Sequence, residues 1–592
     1  MRSLSPLTHQ QIGKFIVALL VLTVPLLLHY RRNAMPGLLS QAGYETLQAA
    51  RYLATNRKLG TEVIRPLEAR YIKANADGTI TDLRHGPLHL AVTAAAIKAL
   101  RETKSGRGDR AAVLLHLTLA LLGALLTAWL ARRMFGEWGG PEHAIRSAFF
   151  FAFGGTAMAL ALEPQPALLA ALFAALNAYA LFRLDGERDF RQMLLWACLS
   201  GALWGLTFLT LYSALVFLPL LAIYVAWVSP RRWVALGAFL ITAALVALPV
   251  PILAMRATGN PLFHGRLMEL VMYTSTYPGD SLYSLNAMPR SLPAYLADGG
   301  YKEVLRKLGT NLVEYLPQTL ALLGPFVAMF TLGSGLIRFT DPRINRQRTL
   351  AFALLGAHIL GLALFFPASI GIPALFVHVP LIAVLASAFL EIVVRSRRML
   401  PFHTQVALLG WSALACIPGV THYLVGAPQR SMAPELFDWL AGGDPGMKRY
   451  QATKRGVLAS DIPAEIAFRF DAPCAYLPAD TMEIDQFTER INKPIAGFLV
   501  SGALADQPVE RDTILEGWRE AQQKIGGYWS VLLDTPRMER VAFTNQYPMQ
   551  YPAVLRGALT LYQPLPIPEQ GSGRYSLVFW YNGPSHERTQ PE

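Results

Sequence analysis

The sequence predicts a mainly α polytopic membrane protein with about eleven transmembrane helices and a C-terminal extracytoplasmic α/β domain. Of its 592 residues, 53% are hydrophobic and only 16% charged, whereas soluble domains carry about 25% charged residues. The apolar residues are clustered in runs such as "GKFIVALLVLTVPLLLHY" and "RWVALGAFLITAALVALPVPILAM". Each is long enough to cross a hydrocarbon core of roughly 30 Å. Beyond residue 424 the pattern changes to short strand-like and helix-like runs separated by turn residues.

Spans are expected near 13–30, 111–131, 145–162, 164–183, 192–210, 211–228, 233–255, 316–338, 348–366, 370–394 and 403–424. The first has no small-residue cleavage motif and reads as a retained anchor. With the N-terminus in the cytoplasm, the basic loops "ARRMFGEWGG", "RLDGERDFRQ", "VSPRRW", "IRFTDPRINRQR" and "RSRRML" all fall inside, as the positive-inside bias requires. Arg31 and Arg32 follow the first span on the other side, but five loops outweigh that pair. The same bias accounts for the net charge of +13. Nucleic acid is excluded as a partner, because no basic stripe carries interleaved aromatics.

The expected division is a membrane domain, 1–424, with outer loops 31–110 and 256–315, and a small α/β domain, 425–592. Within the first loop, "PLHLAVTAAAIKAL" is apolar but at about 14 residues too short to span. Counting it would place the basic loops outside, so it is expected to lie at the outer surface. In the C-terminal region "GVLASDI", "EIAFRF", "PCAYLP", "IAGFLVSGAL", "YWSVLLD" and "YSLVFWYN" read as strands. "TMEIDQFTERIN" and "RDTILEGWREAQQKI" have helical spacing. The spacing of Cys198, Cys416 and Cys474 gives neither a disulfide framework nor a metal site.

Ionisable residues in lipid are costly and mark function. The stretch from Gln192 to Met255 has no charged residue except Arg231 and Arg232 in a loop, and His358 and His378 lie mid-span further on. This scarcity weighs against an ion-coupled transporter and moves attention to the outer ends of the spans. Four clusters stand there. In "SQAGYETLQAARYL", Gln41, Glu45 and Gln48 fall near one helical face; the pattern fits a catalytic helix or an interfacial helix with a solvated polar side. In "ALALEPQPALLAAL", Glu163 sits between apolar runs beside Pro164 and Pro166; a loop acid near a helix N-terminus gives the same pattern. "TDLRHGPLHL" places Asp82, Arg84 and His85 before Gly86-Pro87, a guanidinium and an imidazole suited to phosphate or to lipid headgroups. "TGNPLFHGRLMELVMYTSTYPGD" brings Arg266 and Glu269 among aromatics, as an acceptor cover or as an interfacial belt. No metal constellation, Walker loop or dinucleotide fingerprint is present, so no metal or cofactor is expected.

Together these stretches resemble the GT-C class of membrane glycosyltransferases, and within it the family 39 type of protein O-mannosyltransferases and aminoarabinose transferases. "QAGYETLQAARYL" is similar to the family's first acidic motif and "RHGPLHL" to its basic–Pro–Pro–Leu motif. "TAWLARRMFG", "LEPQPALLAALFAALNAYALFRL", "GALWGLTFLTLYSALVFLPLLAIY" and "ALVALPVPILAMRATGNPLF" are similar to further family phrases. The resemblance covers most of 1–424. It implies an integral protein of a bacterial inner or plasma membrane that transfers a sugar from a polyprenyl-phosphate donor to a glycan, lipid or protein acceptor on the outer face, by inverting displacement. It implies Glu45 and Glu163 as catalytic acids, and Gln41, Tyr44, Asp82, Arg84, His85 and Arg266 as substrate-binding residues. The sequence departs from the family at Gln41, where the first acid is expected; an amide is no base at neutral pH, and Glu45, one turn on, is the acid left to serve. The run Leu209 to Tyr212 lacks a lysine often found in that phrase, and His378 stands where many relatives have an arginine nearby. The alternatives are a transporter or flippase of lipid-linked glycan, or a non-catalytic binder of it.

Overall fold

A computed structural model describes residues 41–75, 77–104, 106–136, 140–155, 164–274, 276–277, 292–396, 400–425, 437, 440–442, 445–453, 456–460, 462–476, 483–500, 565–568 and 575–580. The expected first span, the end of the third, and Glu163 lie outside these residues.

The chain enters at α1, Gln41–Asn56. Leu47, Ala49 and Ala50 on this helix are fully buried, and Leu47 alone contributes about 1.5–3 kcal/mol through its removal from water. Its polar residues are buried too: Gln48 is 0% and Arg51 2% exposed. From residue 43 to residue 52 α1 is therefore packed in protein on all sides, not as an interfacial helix with a wet face. A two-residue strand β1, Val63–Ile64, follows, then α2, Pro66–Ala69, and α3, Pro87–Ala99. α3 has Pro87 in its first turn, where the missing N–H costs nothing. At 13 residues it is shorter than a span.

The bundle follows: α4 Asp109–Phe135, α5 Gly140–Phe153, α6 Ala167–Leu184, α7 Phe190–Thr210, α8 Phe217–Val228, α9 Arg232–Ala247 and α10 Pro249–Thr258. Asp189 caps α7 by accepting from the Gln192 amide at 2.9 Å. Next come α11 Tyr301–Leu323, α12 Pro325–Ser334, α13 Pro342–Phe365, α14 Val379–Arg395 and α15 Pro401–Val425. Among the described residues, six helices are long and apolar enough to cross a membrane, or eight spans result if each bent pair counts as one. The expected straight span 233–255 is α9 and α10, bent by 43° at Pro249. The expected span 316–338 falls on the α11–α12 pair, bent by 101°. Gly324 forms that corner with φ +80, and a Cβ there would lie 1.5 Å from the Gly154 carbonyl oxygen, so only glycine fits. The main apolar core lies among α4, α5, α6, α12 and α14, with Phe150, Phe151 and Phe376 buried at its centre.

Past the bundle, β2 Val457–Ser460, α16 Pro463–Phe470, β3 Cys474–Tyr476, α17 Glu483–Ile491, β4 Ile495–Val500, β5 Leu565–Pro568 and β6 Tyr575–Trp580 are described. They form one six-stranded sheet in the order β1-β3-β2-β4-β6-β5. The β1, β3, β2 and β4 pairings are parallel, and β6 lies antiparallel to β4 and β5. "EIAFRF", expected as a strand, is helical: Pro463 starts α16, and a Glu465–Arg469 ion pair at 2.7 Å joins successive turns. The runs "YWSVLLD" and "RDTILEGWREAQQKI" lie outside the described residues. Strand β1 comes from the first loop, so the sheet combines chain from both expected domains.

Candidate active site

One end of the bundle carries α1, the loop 57–86 and the loop 259–274, and β3 pairs with β1 there and brings Tyr476 to Glu45. α1 is fixed by polar clamps along its length. Gln48 Oε1 accepts the Glu62 amide at 3.0 Å, which sets the entry to β1. Arg51 donates to the carbonyls of Ala467 and Phe468 in α16 and pairs with Glu62 at 3.6 Å and Asp471 at 3.4 Å. Two turns back from Arg51, Glu45 faces the cluster.

Glu45 pairs with Arg65, and the Tyr476 hydroxyl donates to its Oε1 at 2.9 Å. Burial alone would raise this carboxyl; Arg65, His85 and Arg84, with the Tyr476 hydrogen bond, hold it below the ordinary carboxylate value. Arg65 also reaches Glu68 at 3.3 Å and lies over the Tyr476 ring at 5.9 Å. It sits directly before Pro66, in extended backbone, as a residue before proline must.

Asp82 organises the "DLRH" turn. Its Oδ1 accepts the amides of Arg84 at 2.9 Å and His85 at 3.1 Å, and the His85 Nδ1–H donates to its Oδ2 at 2.8 Å. Burial opposes ionisation of Asp82, and the interaction with His85 together with these backbone donors overcomes it, leaving the carboxyl strongly depressed. This tautomer leaves His85 Nε2 facing Glu45 Oε2 at 4.0 Å. Gly86 lets the turn press on α7: a Cβ there would sit 2.2 Å from the Thr210 carbonyl oxygen.

Arg84 extends the chain of charges to Glu68 at 3.5 Å and Glu269 at 2.5 Å. Arg266, three residues before Glu269, stacks on the Phe366 ring at 5.3 Å. Burial and the nearby Arg84 and Arg65 lower its pKa against the pull of Glu269 and Glu45. Among the described residues no acid stands within ion-pair distance of its guanidinium. His264 accepts the Arg266 amide at Nδ1, 3.1 Å, and packs edge-on to Tyr212 at 4.2 Å.

Glu45, Asp82, Arg84, His85 and Arg266 thus lie in one connected cluster. Tyr44 does not join it: its ring packs on Phe468 at 5.4 Å, and its hydroxyl lies by Arg469 and Glu465. Gln41 opens α1, and its side chain, like Glu163, is outside the described residues. The sequence reading missed Arg65, Glu68 and Tyr476. The one local signal was "RPLE", where a cation before proline precedes an acid by three residues. Tyr476 had none, since only the sheet brings it near. The mid-span histidines form a separate contact, His358 Nδ1 to His378 Nε2 at 3.1 Å, with Ser213 on His358 Nε2 at 2.9 Å.

Buried carboxylates and guanidiniums in alternation, with an imidazole braced by an acid, can hold an anion and take up a proton. No family model and no curated protein matches the sequence. Solved structures do match. ArnT from Cupriavidus metallidurans in the apo state is 12% identical over 96% of this chain and 98% of that one, with a TM-score of 0.51. The same protein bound to undecaprenyl phosphate gives 12%, 96%, 98% and 0.50. The Archaeoglobus fulgidus oligosaccharyltransferase in complex with zinc and sulfate is 12% identical over 81% of this chain and 67% of that one, at a TM-score of 0.51. At these identities the likeness is one of fold, and the fold of this chain is the GT-C fold of those glycosyltransferases.

Proposed function

We propose that this protein transfers a sugar from a polyprenyl-phosphate-linked donor to an acceptor hydroxyl or amine at the outer face of the membrane, with inversion at the anomeric carbon. The observation that carries the reading is Arg266: a cation with no acid partner among the described residues, set beside Arg84 and within the cluster that holds Glu45 and His85. A lipid phosphate is the anion such a site suits. The acceptor oxygen or nitrogen attacks the anomeric carbon, the bond from that carbon to the phosphate oxygen breaks, and polyprenyl phosphate leaves with the electron pair. Arg266 and Arg84 stabilise the developing phosphate charge. Glu45, kept ionised by Arg65, takes the acceptor's proton, with His85 Nε2 at 4.0 Å as the next station. Glu163 belongs to the proposal as a second acid through its sequence motif alone. The N-terminus is proposed to be cytoplasmic, with residues 425–592 as an extracytoplasmic domain over the site and about eleven spans in all.

One observation favours a non-catalytic binder of the same lipid: the Glu45 carboxylate already engages both Arg65 and Tyr476. The experiment that separates the two uses the full chain in proteoliposomes with a panel of radiolabelled polyprenyl-phosphate sugars. Release of polyprenyl phosphate, lost in Glu45→Gln, supports transfer. Saturable lipid binding without release across the panel supports the binder, and absence of binding ends both readings.

A further inference from the structure

Helix α11 carries a polar ladder on one buried face: Lys307, Asn311 and Tyr315, spaced four residues apart. Lys307 is 1% exposed. Its three ammonium N–H groups are shared among the carbonyls of Glu269 at 2.7 Å, Met272 at 2.7 Å, Phe365 at 3.1 Å and Leu270 at 3.2 Å. Asn311 Nδ2 donates to the carbonyls of Ala363 at 2.8 Å and Phe366 at 3.0 Å, and the Tyr315 hydroxyl donates to that of Phe366 at 3.4 Å. Three of these acceptors lie in the short turn 269–272, and the rest at the C-terminal end of α13, where helix carbonyls lack partners of their own.

Carbonyls of successive residues repel when they converge, and a buried ammonium is what holds them together. The turn is strained to match: Tyr273 lies in the left-handed region at φ +60, and its ring lies 5.6 Å from the Lys307 ammonium. The two structures that the ladder joins are the ones that fix the cationic side of the site. The turn carries Glu269, which takes Arg84 at 2.5 Å, and begins three residues after Arg266. The end of α13 leads into Phe366, the ring on which Arg266 stacks at 5.3 Å.

We propose that Lys307 is a positioning residue for phosphate recognition: its ammonium locks the 269–272 turn to the end of α13 and so sets Arg266 and Arg84 at the spacing a lipid phosphate requires. Asn311 supports it by fixing the Phe366 carbonyl. This inference rests on the reading of Arg266 and Arg84 as phosphate-binding residues. Supporting groups of this kind act strongly: a misplacement of about 1 Å can cost roughly 100-fold in rate, and the outer groups that orient metal ligands change affinity or activity by roughly 10- to 100-fold.

The test measures binding of undecaprenyl phosphate to the purified full chain in detergent, with Lys307→Met, Lys307→Arg and Asn311→Leu, and with Lys302→Met on the exposed side of the same helix as control. Thermal unfolding of each variant is followed in parallel. The expected result is binding weakened about ten-fold or more in Lys307→Met, a smaller loss in Asn311→Leu, partial recovery in Lys307→Arg, and wild-type affinity in Lys302→Met. A fold-only role would lower the amount of active protein and leave the affinity of the remainder unchanged; that result overturns the proposal. Should Lys307→Met not fold, unchanged affinity in a folded Asn311→Leu overturns it equally. If the wild-type chain does not bind the lipid phosphate at all, the reading of the Arg266 site fails first, and the positioning role falls with it.

Discussion

The Tyr476 hydroxyl donates a 2.9 Å hydrogen bond to Glu45 Oε1, joining residues 431 positions apart in the sequence. The strand that carries Tyr476 thereby supplies a donor to the central carboxylate. Tyr476→Phe removes that donor while keeping the ring under Arg65. Hydrogen bonds to charged groups are worth about 1.5–3 kcal/mol, so a fall in thermal midpoint is expected. The bond favours the ionised form, so its loss raises the Glu45 pKa. The acid limb of a transfer–pH profile then moves toward neutrality, and an unmoved limb would show that Glu45 is not the titrating base.

Glu45→Gln keeps the shape of the side chain and removes its charge. The expected outcome is a loss of transfer by about 10²- to 10⁴-fold, the range for a general base, with lipid-phosphate binding largely retained because Arg84 and Arg266 are untouched. Turnover and binding measured on one preparation check this. Full activity would remove Glu45 from the mechanism.

Acidification is expected to weaken the fold in two windows. His264 is lowered from 6.5 to about 3 by burial, then by Arg266 and Arg84. The unfolded chain takes up this proton as pH falls through 6.5 and the folded chain does not until about 3, so stability declines with falling pH across that window. Asp82 has the carboxylate sign: its contribution is whole above its ordinary value of 3.8 and is lost as pH falls below it. Thermal midpoints between pH 7 and 3 check both. His264→Asn, which keeps an acceptor for the Arg266 amide, should flatten the upper window, and Asp82→Asn the lower. Slopes equal to wild type in both would contradict the assignment.

Gly86→Ala should be more damaging than a single methyl suggests. The new Cβ would stand 2.2 Å from the Thr210 carbonyl oxygen. Either the "DLRH" turn or the end of α7 must move, and overpacking of this kind costs about 1–3 kcal/mol. The expected readouts are a lower thermal midpoint and lost transfer together. Wild-type behaviour would show that the turn is not pressed against α7.

Eight of the expected spans, counting the two bent pairs, coincide with helices long and apolar enough to cross a membrane, because a run of about 20 apolar residues has few other uses. Their bends were not legible, because a hydropathy pattern has no direction: Gly324-Pro325 reads as part of one span while turning the chain by 101°. The "DLRH" turn was legible from its own residues, since Asp82, Arg84 and His85 bond within four positions. Arg65 and Glu68 looked like ordinary loop charges, and only their burial at 2% and 4% exposure marks them. "EIAFRF" misled because its alternation of apolar residues fits period two, while the Glu465–Arg469 pair fits a helix.

Strand β1 pairs with β3 through Val63 and Cys474, so about 410 residues must be made between one edge of that pairing and the other. At roughly 5–20 residues per second this takes tens of seconds of synthesis. For that interval Arg65, which follows β1 directly, has no Tyr476 beneath it, and Glu45 lacks its hydroxyl donor. The charged centre therefore matures last, after the helices around it have been laid down, and a nascent chain halted before residue 474 holds every span described here without a finished site.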